Sequence, residues 1–245
     1  MKPIPNSPTE LAPLAAFGAH PDDIEFGCGA VIALETRAGR PVHFIVCSRG
    51  ESATHGSPAQ RKQEAEKSAA ILGASIEFIE LGGDAHFEIS VSHAIKIAKI
   101  LRRLRPGIVL APSSVENQHP DHPRLGSMIR DAARLVRYGG VEELRASPPH
   151  TIDHLLFYTQ TPESEPRDIT PLLIDISAPE IIHTWKNAME AHASQTSNRN
   201  YIELQLTRAR LNGPRAGVEH AIALFPNDPL IFGSLSQLIR SARQF

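Results

Sequence analysis

Residues 14–29 read LAAFGAHPDDIEFGCG, and this stretch predicts the first strand, turn and helix of the chain. It opens with a short apolar run that ends at Gly18-Ala19-His20, which predicts a buried strand. After the polar turn, the segment Ile24–Ala38 has a helical pattern that Gly39 ends. A strand followed at once by a helix predicts the first half of a β-α-β unit.

The same alternation continues through the first half of the chain. Three further apolar runs predict strands, at Val42–Cys47, Ile76–Leu81 and Ile108–Ala111. Two segments between them predict helices, at Pro58–Leu72 and Ser90–Leu104. Continuous apolar strands joined by short connections are typical of a parallel sheet with helices on both faces.

The second half is less regular but contains the same two kinds of element. Strands are predicted at Leu155–Thr159, Leu172–Ile176 and His220–Phe225. Helices are predicted at Arg124–Arg137, Glu180–Ala193, Ile202–Leu211 and Ser234–Arg243. The sequence therefore predicts the α/β class, with a mostly parallel sheet in one domain spanning residues 1–245, of which 1–12 form an extended N-terminal segment.

Composition excludes several classes of function. The charge is nearly balanced, with 25 Lys and Arg against 27 Asp and Glu, so we expect no nucleic-acid partner. No run approaches the roughly 20 apolar residues that cross a bilayer, and Met1–Thr9 lacks the apolar core of a secretory signal. Two cysteines, Cys28 and Cys47, form no disulfide framework, which favours a cytoplasmic protein with no membrane partner.

Polar side chains follow each of the first four predicted strands. They are HPDDIE at 20–25, SRGE at 48–51, GGDAH at 82–86 and ENQHPDH at 116–122. Ligands of an open parallel sheet bind beyond the carboxyl ends of its strands. Because four such loops converge on one edge, the sequence predicts an active site there.

The first and fourth of these loops contain His and Asp, the residue types that bind catalytic zinc. Such an ion takes three His or carboxylate ligands and keeps one open position for water. His20, Asp23 and His122 form such a set, for one zinc ion per chain, and leave Asp22 beside it as a general base. The alternative is that Asp22 and Asp23 only cap the following helix. In the fourth loop, His119 and Asp121 form a second pair, a histidine oriented by a carboxylate.

Two motifs in register resemble those of a known family. The segment Ala19–Gly29 and the motif His119–His122 resemble the signatures of the LmbE-like (PIG-L) zinc-dependent N-deacetylases. Further similarities are Ser48–Glu51, the helix from Arg61 to Gly73, and Ala191–Gln195, so the resemblance runs from about 15 to 225. Within the family, the chain is most similar to the bacillithiol-biosynthesis deacetylases, which act on N-acetylglucosaminyl malate.

The resemblance implies a Rossmann-like fold and a hydrolase that removes an N-acetyl group from a small amino-sugar conjugate. It implies zinc ligation by His20, Asp23 and His122, with Asp22 as general base. His119, assisted by Asp121, is expected to stabilise the oxyanion or to protonate the leaving amine. Asp121 is also expected to raise the pKa of His119. A homo-oligomer, a trimer or hexamer, is implied as well.

Three residues are candidates for substrate binding. Glu51 and Arg61 could hold a polar substrate, and Arg61 suits a carboxylate. The alternative for Arg61 is a solvated helix face. His220, on the last predicted strand, is a candidate for lining the pocket. The roles of Asp84, His86 and His192 stay open, and selectivity is expected to depend on loops 52–57, 86–90 and 138–149.

Other functions remain to be separated from this one. A dinucleotide enzyme is disfavoured because His-Pro-Asp-Asp, rather than a glycine-rich turn, follows the first strand. A metal phosphoesterase would use two ions, whereas the sequence offers one convincing ligand set. The remaining alternative is a sugar-binding protein of the same fold without activity.

Overall fold

In the computed structural model, which describes residues 11–197, 200–238 and 240–241, seven strands form one sheet. The strands are β1 Leu14–Gly18, β2 Val42–Val46, β3 Ser75–Phe78, β4 Ile108–Pro112, β5 His154–Tyr158, β6 Leu172–Asp175 and β7 Ala221–Pro226. The helices are α1 Asp23–Arg37, α2 Pro58–Ile71, α3 Val91–Leu104, α4 Asp121–Leu135, α5 Pro179–Glu190, α6 Ala193–Thr196 and α7 Tyr201–Ala216. None of these described helices is both long and apolar enough to cross a membrane.

The strand order is β3-β2-β1-β4-β5-β7-β6. The first five strands are parallel to one another, and β7 runs antiparallel to both of its neighbours. The prediction of a mostly parallel α/β sheet is therefore confirmed. The order reverses between β1 and β4, and a crevice opens beyond the strand ends at such a switch point. The loops that carry His20 and His122 leave these two strands.

Alternate residues of the central strands pack into two separate cores, one on each face of the sheet. In β1, Leu14 and Ala16 face a core shared with α1, α2, α5 and α7. Ala15 and Phe17 face the other core, which α3 and α4 complete. Both faces of the sheet are therefore covered, as the continuous apolar strands predict.

Most predicted elements begin and end within a few residues of the observed ones. The fourth helix begins at Asp121 rather than Arg124, which places His122 in its first turn. The predicted helix 234–243 is wrong where the structure describes it, because only Leu235–Gln237 forms a 3₁₀ turn. Residues 1–10 of the predicted extended segment, and 239 and 242–245, lie outside the described residues.

Two glycines of the first motif make room for buried aromatic rings. A Cβ at Gly27 would lie 2.1 Å from Cδ2 of Tyr158, and one at Gly29 would lie 2.8 Å from Cδ1 of Trp185. Tyr158 is fully buried, and its hydroxyl donates to the Phe17 carbonyl at 2.7 Å. Gly27 therefore lets α1 pack against the sheet at Tyr158, and Gly29 lets α1 pack against α5 at Trp185.

We expect Gly27→Ala to lower the free energy of unfolding by about 1–3 kcal/mol, the usual cost of overpacking a core. Urea denaturation measures the change. Gly140→Ala is the matched control, because a Cβ there meets nothing within 4 Å, and its effect should stay within about 0.5 kcal/mol. Equal effects of the two substitutions would contradict this packing role.

Candidate active site

The turn after β1 brings His20 and Asp23 together. The His20 backbone N–H donates to Oδ2 of Asp23 at 2.9 Å, and α1 begins at Asp23. Asp22, between them, has φ 131°, a conformation that non-glycine residues rarely adopt. Such backbone strain is found where the surrounding structure fixes a functional side chain.

Three donor atoms of the predicted metal set face one another. Nε2 of His122 lies 3.1 Å from Oδ1 of Asp23 and 3.3 Å from Nδ1 of His20. Nδ1 of His20 lies 3.5 Å from Oδ2 of Asp23. Ligands bound tetrahedrally at zinc distances are about 3.3 Å apart. His20, Asp23 and His122 therefore fit a tetrahedral metal ion such as zinc. They form one of the two groups, in the part of the chain that the structure describes, that could hold an ion.

Gln118 orients His122, a contact that the sequence reasoning did not identify. Nδ1 of His122 lies 3.1 Å from Oε1 of Gln118, whose amide group donates to the carbonyls of Ser113 and Val115. Because the amide oxygen is fixed in this way, it accepts a hydrogen bond from the Nδ1–H group of His122. Nε2 then keeps its lone pair toward the donor set.

Asp22 lies beside the donor set in contact with Arg61. The guanidinium of Arg61 donates to Oδ2 of Asp22 at 3.3 Å and to the Pro21 carbonyl at 3.1 Å. Burial raises the pKa of Asp22 to about 6, although the Arg61 charge opposes this rise. Arg61 does line the cavity, but its guanidinium is engaged with Asp22 and the backbone. The structure thus places it behind Asp22 rather than free for a substrate carboxylate.

The relation between His119 and Asp121 differs from the predicted one. The Asp121 backbone N–H donates to Nδ1 of His119 at 3.3 Å, whereas the Asp121 carboxylate faces His20 and accepts the Ala85 N–H. Desolvation, and then positive charge on His20 and His122, lowers the pKa of His119. The expected rise was wrong, because the opposing effect of Asp121 is smaller. With Nδ1 accepting a hydrogen bond, a neutral His119 carries its proton on Nε2.

These groups open onto a cavity of about 730 Å³. One wall is formed by Ser52–His55 together with Asp84 and Ala85. Other lining residues come from α1, α6, α7 and the segment after β5, and they include Phe26, Gln160, Thr161, Gln195, Tyr201 and Gln205. Of the three loops expected to set selectivity, only 52–57 contributes. Segments 86–90 and 138–149 do not line this cavity.

Two predicted substrate contacts do not join the cavity lining. The exposed Glu51 accepts the backbone N–H groups of Arg49 and Asp84, at 3.0 and 3.2 Å. His220 precedes β7, two positions beyond β4 in the sheet order, and its ring lies near Glu219. The sequence placed both residues at the correct sheet edge but could not give their lateral distance from the candidate metal ligands.

His192 forms a buried pair that spacing did not reveal. Its Nε2 lies 3.2 Å from Oε1 of Glu25, and both side chains are almost completely buried. Burial alone would lower the pKa of His192, but the Glu25 carboxylate raises it.

Cys28 and Cys47 are buried, and burial raises the pKa of both thiols, as expected for packing residues.

The first half of the chain is similar to a known family profile, and longer stretches are similar to two curated proteins. Residues 15–133 match the profile described as PIG-L: GlcNAc-PI de-N-acetylase. The chain is 30% identical over 159 residues to a 4-oxalmesaconate hydratase of Pseudomonas putida. This match covers 59% of this chain and 60% of the hydratase. The chain is also 28% identical over 190 residues to a diacetylchitobiose deacetylase of Thermococcus kodakarensis. This match covers 72% of this chain and 67% of the deacetylase.

Among solved structures, the conserved protein TT1542 from Thermus thermophilus superposes with a TM-score of 0.79 at 27% identity. The superposition covers 93% of this chain and 100% of that one. The fold described above is therefore shared along almost the whole length, whereas the sequence matches span roughly two thirds or less of the curated relatives.

Proposed function

We propose that this chain, whose residues 15–133 match the PIG-L profile, is a zinc-dependent hydrolase that removes an N-acetyl group from a small amino-sugar conjugate. The observation that carries the proposal is the donor set His20, Asp23 and His122, which lies beside Asp22 at the switch point of the sheet. The deacetylase relative supports the choice of reaction.

Two histidine nitrogens and one carboxylate are a typical ligand set of catalytic zinc. Bound there, the ion would polarise the acyl carbonyl and lower the pKa of a water molecule. Asp22 is not needed as a ligand and takes the proton of the attacking water as its oxygen bonds to the acyl carbon. Arg61 orients the Asp22 carboxylate for that transfer.

His119 acts on the carbonyl oxygen as negative charge develops there. Its ring centre lies 4.6 Å from that of His20, and its Nε2–H is free to donate because Nδ1 accepts the Asp121 N–H. A hydrogen bond of this kind stabilises the transition state of acyl transfer. When the C–N bond breaks, the leaving nitrogen takes the proton that Asp22 received. The products are acetate and a free amine.

The cavity favours an uncharged sugar. Its volume is in the range of small-molecule sites, and Phe26 and Tyr201 provide aromatic surface, with ring centroids 6.2 Å apart. Arg61 is the one Lys or Arg among the described residues of the lining, and Asp22 already engages it. We therefore propose N,N′-diacetylchitobiose or a similar neutral N-acetylglucosamine derivative as substrate, ahead of N-acetylglucosaminyl malate.

Acetate release tests this proposal. The zinc-loaded protein is assayed on N,N′-diacetylchitobiose, N-acetylglucosamine and N-acetylglucosaminyl malate, with a chelator-treated sample as control. We expect release from the neutral sugars and its loss on chelation. Binding without release from every sugar would instead support a catalytically silent protein. A metal content near two ions per chain together with phosphatase activity would support a phosphoesterase.

The hydratase relative supports a second candidate function, addition of water to a carbon–carbon double bond. The same general base and metal ligands could activate that water. A hydratase substrate with several carboxylates needs cationic partners, and Arg61, the one Lys or Arg of the described lining, is already engaged by Asp22. Consumption of 4-oxalmesaconate without acetate release from the sugars would select this candidate.

We expect His119→Ala to retain zinc while kcat falls roughly 10²- to 10³-fold, the usual effect of losing an oxyanion donor. Zinc content and steady-state kinetics on the best acetylated sugar measure the two quantities. His183→Ala, an exposed histidine on α5, is the control and should change neither. An unchanged kcat in His119→Ala would remove His119 from this role.

A further inference from the structure

Asp84 lies on the opposite side of the His20 ring from the other donors. Nδ1 of His20 faces Asp23 and His122, whereas Nε2 lies 3.1 Å from Oδ1 of Asp84 and 3.4 Å from Oδ2 of Asp121. Asp84 is 5% exposed and Asp121 is fully buried. Two buried carboxylates therefore converge on one ring nitrogen.

A neutral imidazole has a single N–H, and its hydrogen-bond partner decides which nitrogen carries it. Two carboxylates at Nε2 hold the proton there and leave the lone pair of Nδ1 for an ion. Partners of this kind also fix the ring plane and make the bound nitrogen a stronger ligand.

We propose that Asp84 is a positioning residue for the metal centre, which sets the tautomer and orientation of His20 and connects that ligand to the cavity loop 51–55. The inference rests on the proposed function only in requiring a metal at His20, Asp23 and His122. The nature of the substrate does not enter it.

The loop connection is made by hydrogen bonds to Asp84. The Ser52 backbone N–H donates to Oδ2 of Asp84 at 3.1 Å. The Ser52 hydroxyl donates to the backbone carbonyl of Asp84 at 2.9 Å. Glu51 accepts the Asp84 N–H, which gives that residue a function away from the cavity. The next residue, Ala85, has φ 66° and donates its N–H to Asp121 at 2.6 Å. The loop after β3 thus ties both carboxylates to His20.

Asp84 could also act as a direct ligand, because His20, Asp84 and His119 form a second group able to hold an ion. The geometry favours a positioning role. Oδ1 of Asp84 contacts Nε2 of His20 at 3.1 Å as an ion pair, the hydrogen bond of Nε2 goes to Oδ2 of Asp121, and the second Asp84 oxygen is occupied by Ser52. In addition, the two groups share His20, so they are not independent sites.

The test measures the zinc dissociation constant by competition with a chromophoric chelator, together with metal content at saturation. We expect one ion per chain and a dissociation constant roughly 10- to 100-fold higher in Asp84→Ala, the usual effect of removing such a partner. Asp84→Asn keeps one acceptor oxygen and should give a smaller increase. It also serves as the test variant if Asp84→Ala does not fold. Glu80→Gln, an exposed acid near the same loop, is the control and should match wild type.

Three results would overturn the inference. Unchanged zinc affinity in both Asp84 variants would exclude a positioning role. Unchanged affinity with a raised KM would make Asp84 a substrate contact. Two ions in wild type and one in Asp84→Ala, with the remaining site unaltered, would make it a direct ligand. Weaker zinc binding in a protein that releases no acetate would overturn the proposed function and leave this inference standing.

Discussion

His122→Ala is expected to bind zinc at least about 100-fold more weakly than wild type and to lose measurable acetate release. Removing a side chain that only orients a ligand costs 10- to 100-fold in affinity, and here one of three ligands itself is removed. His20→Ala and Asp23→Ala should behave in the same way, because each removes one ligand atom of the same group. Metal analysis after dialysis at limiting zinc measures the occupancy.

The matched control is His154→Ala, which removes an exposed histidine at the start of β5, the strand beside β4. It should keep both zinc and activity. Full zinc occupancy at limiting metal in any of the three ligand variants would remove that residue from the set.

The fold could be predicted because the apolar strands and their helices alternate regularly along the first half. The antiparallel direction of β7 could not, because a hydrophobic pattern is the same whichever way a strand runs. Prediction also failed at 234–243, where Leu235 and Leu238 are exposed, although they gave the segment a helical pattern. Spacing does not tell whether an apolar residue meets a core.

The convergence of the candidate metal ligands could be predicted because His20 and His122 follow strands that are neighbours in the sheet. The sequence could not predict those roles that depend on which hydrogen bonds a side chain already makes within the protein. Arg61 reads as a free cation in the sequence, yet it reaches back to Asp22 and Pro21. Contact between His20 and Asp84 depends on the turn at Ala85, whose positive φ no spacing rule indicates.

Asp22→Asn is expected to keep its zinc and to lose roughly 10²- to 10⁴-fold in kcat, the range for general-base assistance. The carboxamide has the shape of the carboxylate but cannot take a proton from water. The metal ligands are untouched, since Asp23 rather than Asp22 faces His20 and His122. Should Asp22→Asn lose its zinc while Asp23→Asn retains it, the two aspartates would have exchanged roles.

A second substitution separates the proton-transfer role of Asp22 from a merely structural one. Arg61 is buried and contacts the Asp22 carboxylate, so Arg61→Met should lower kcat because the base is no longer oriented. If Arg61 acts through Asp22, the same change in the Asp22→Asn background should reduce kcat little further, since residues that act as a unit are not additive. Two independent roles would instead multiply their effects. Steady-state kinetics of the two single variants and the double variant decide between these outcomes, because zinc content is expected to be equal in all three.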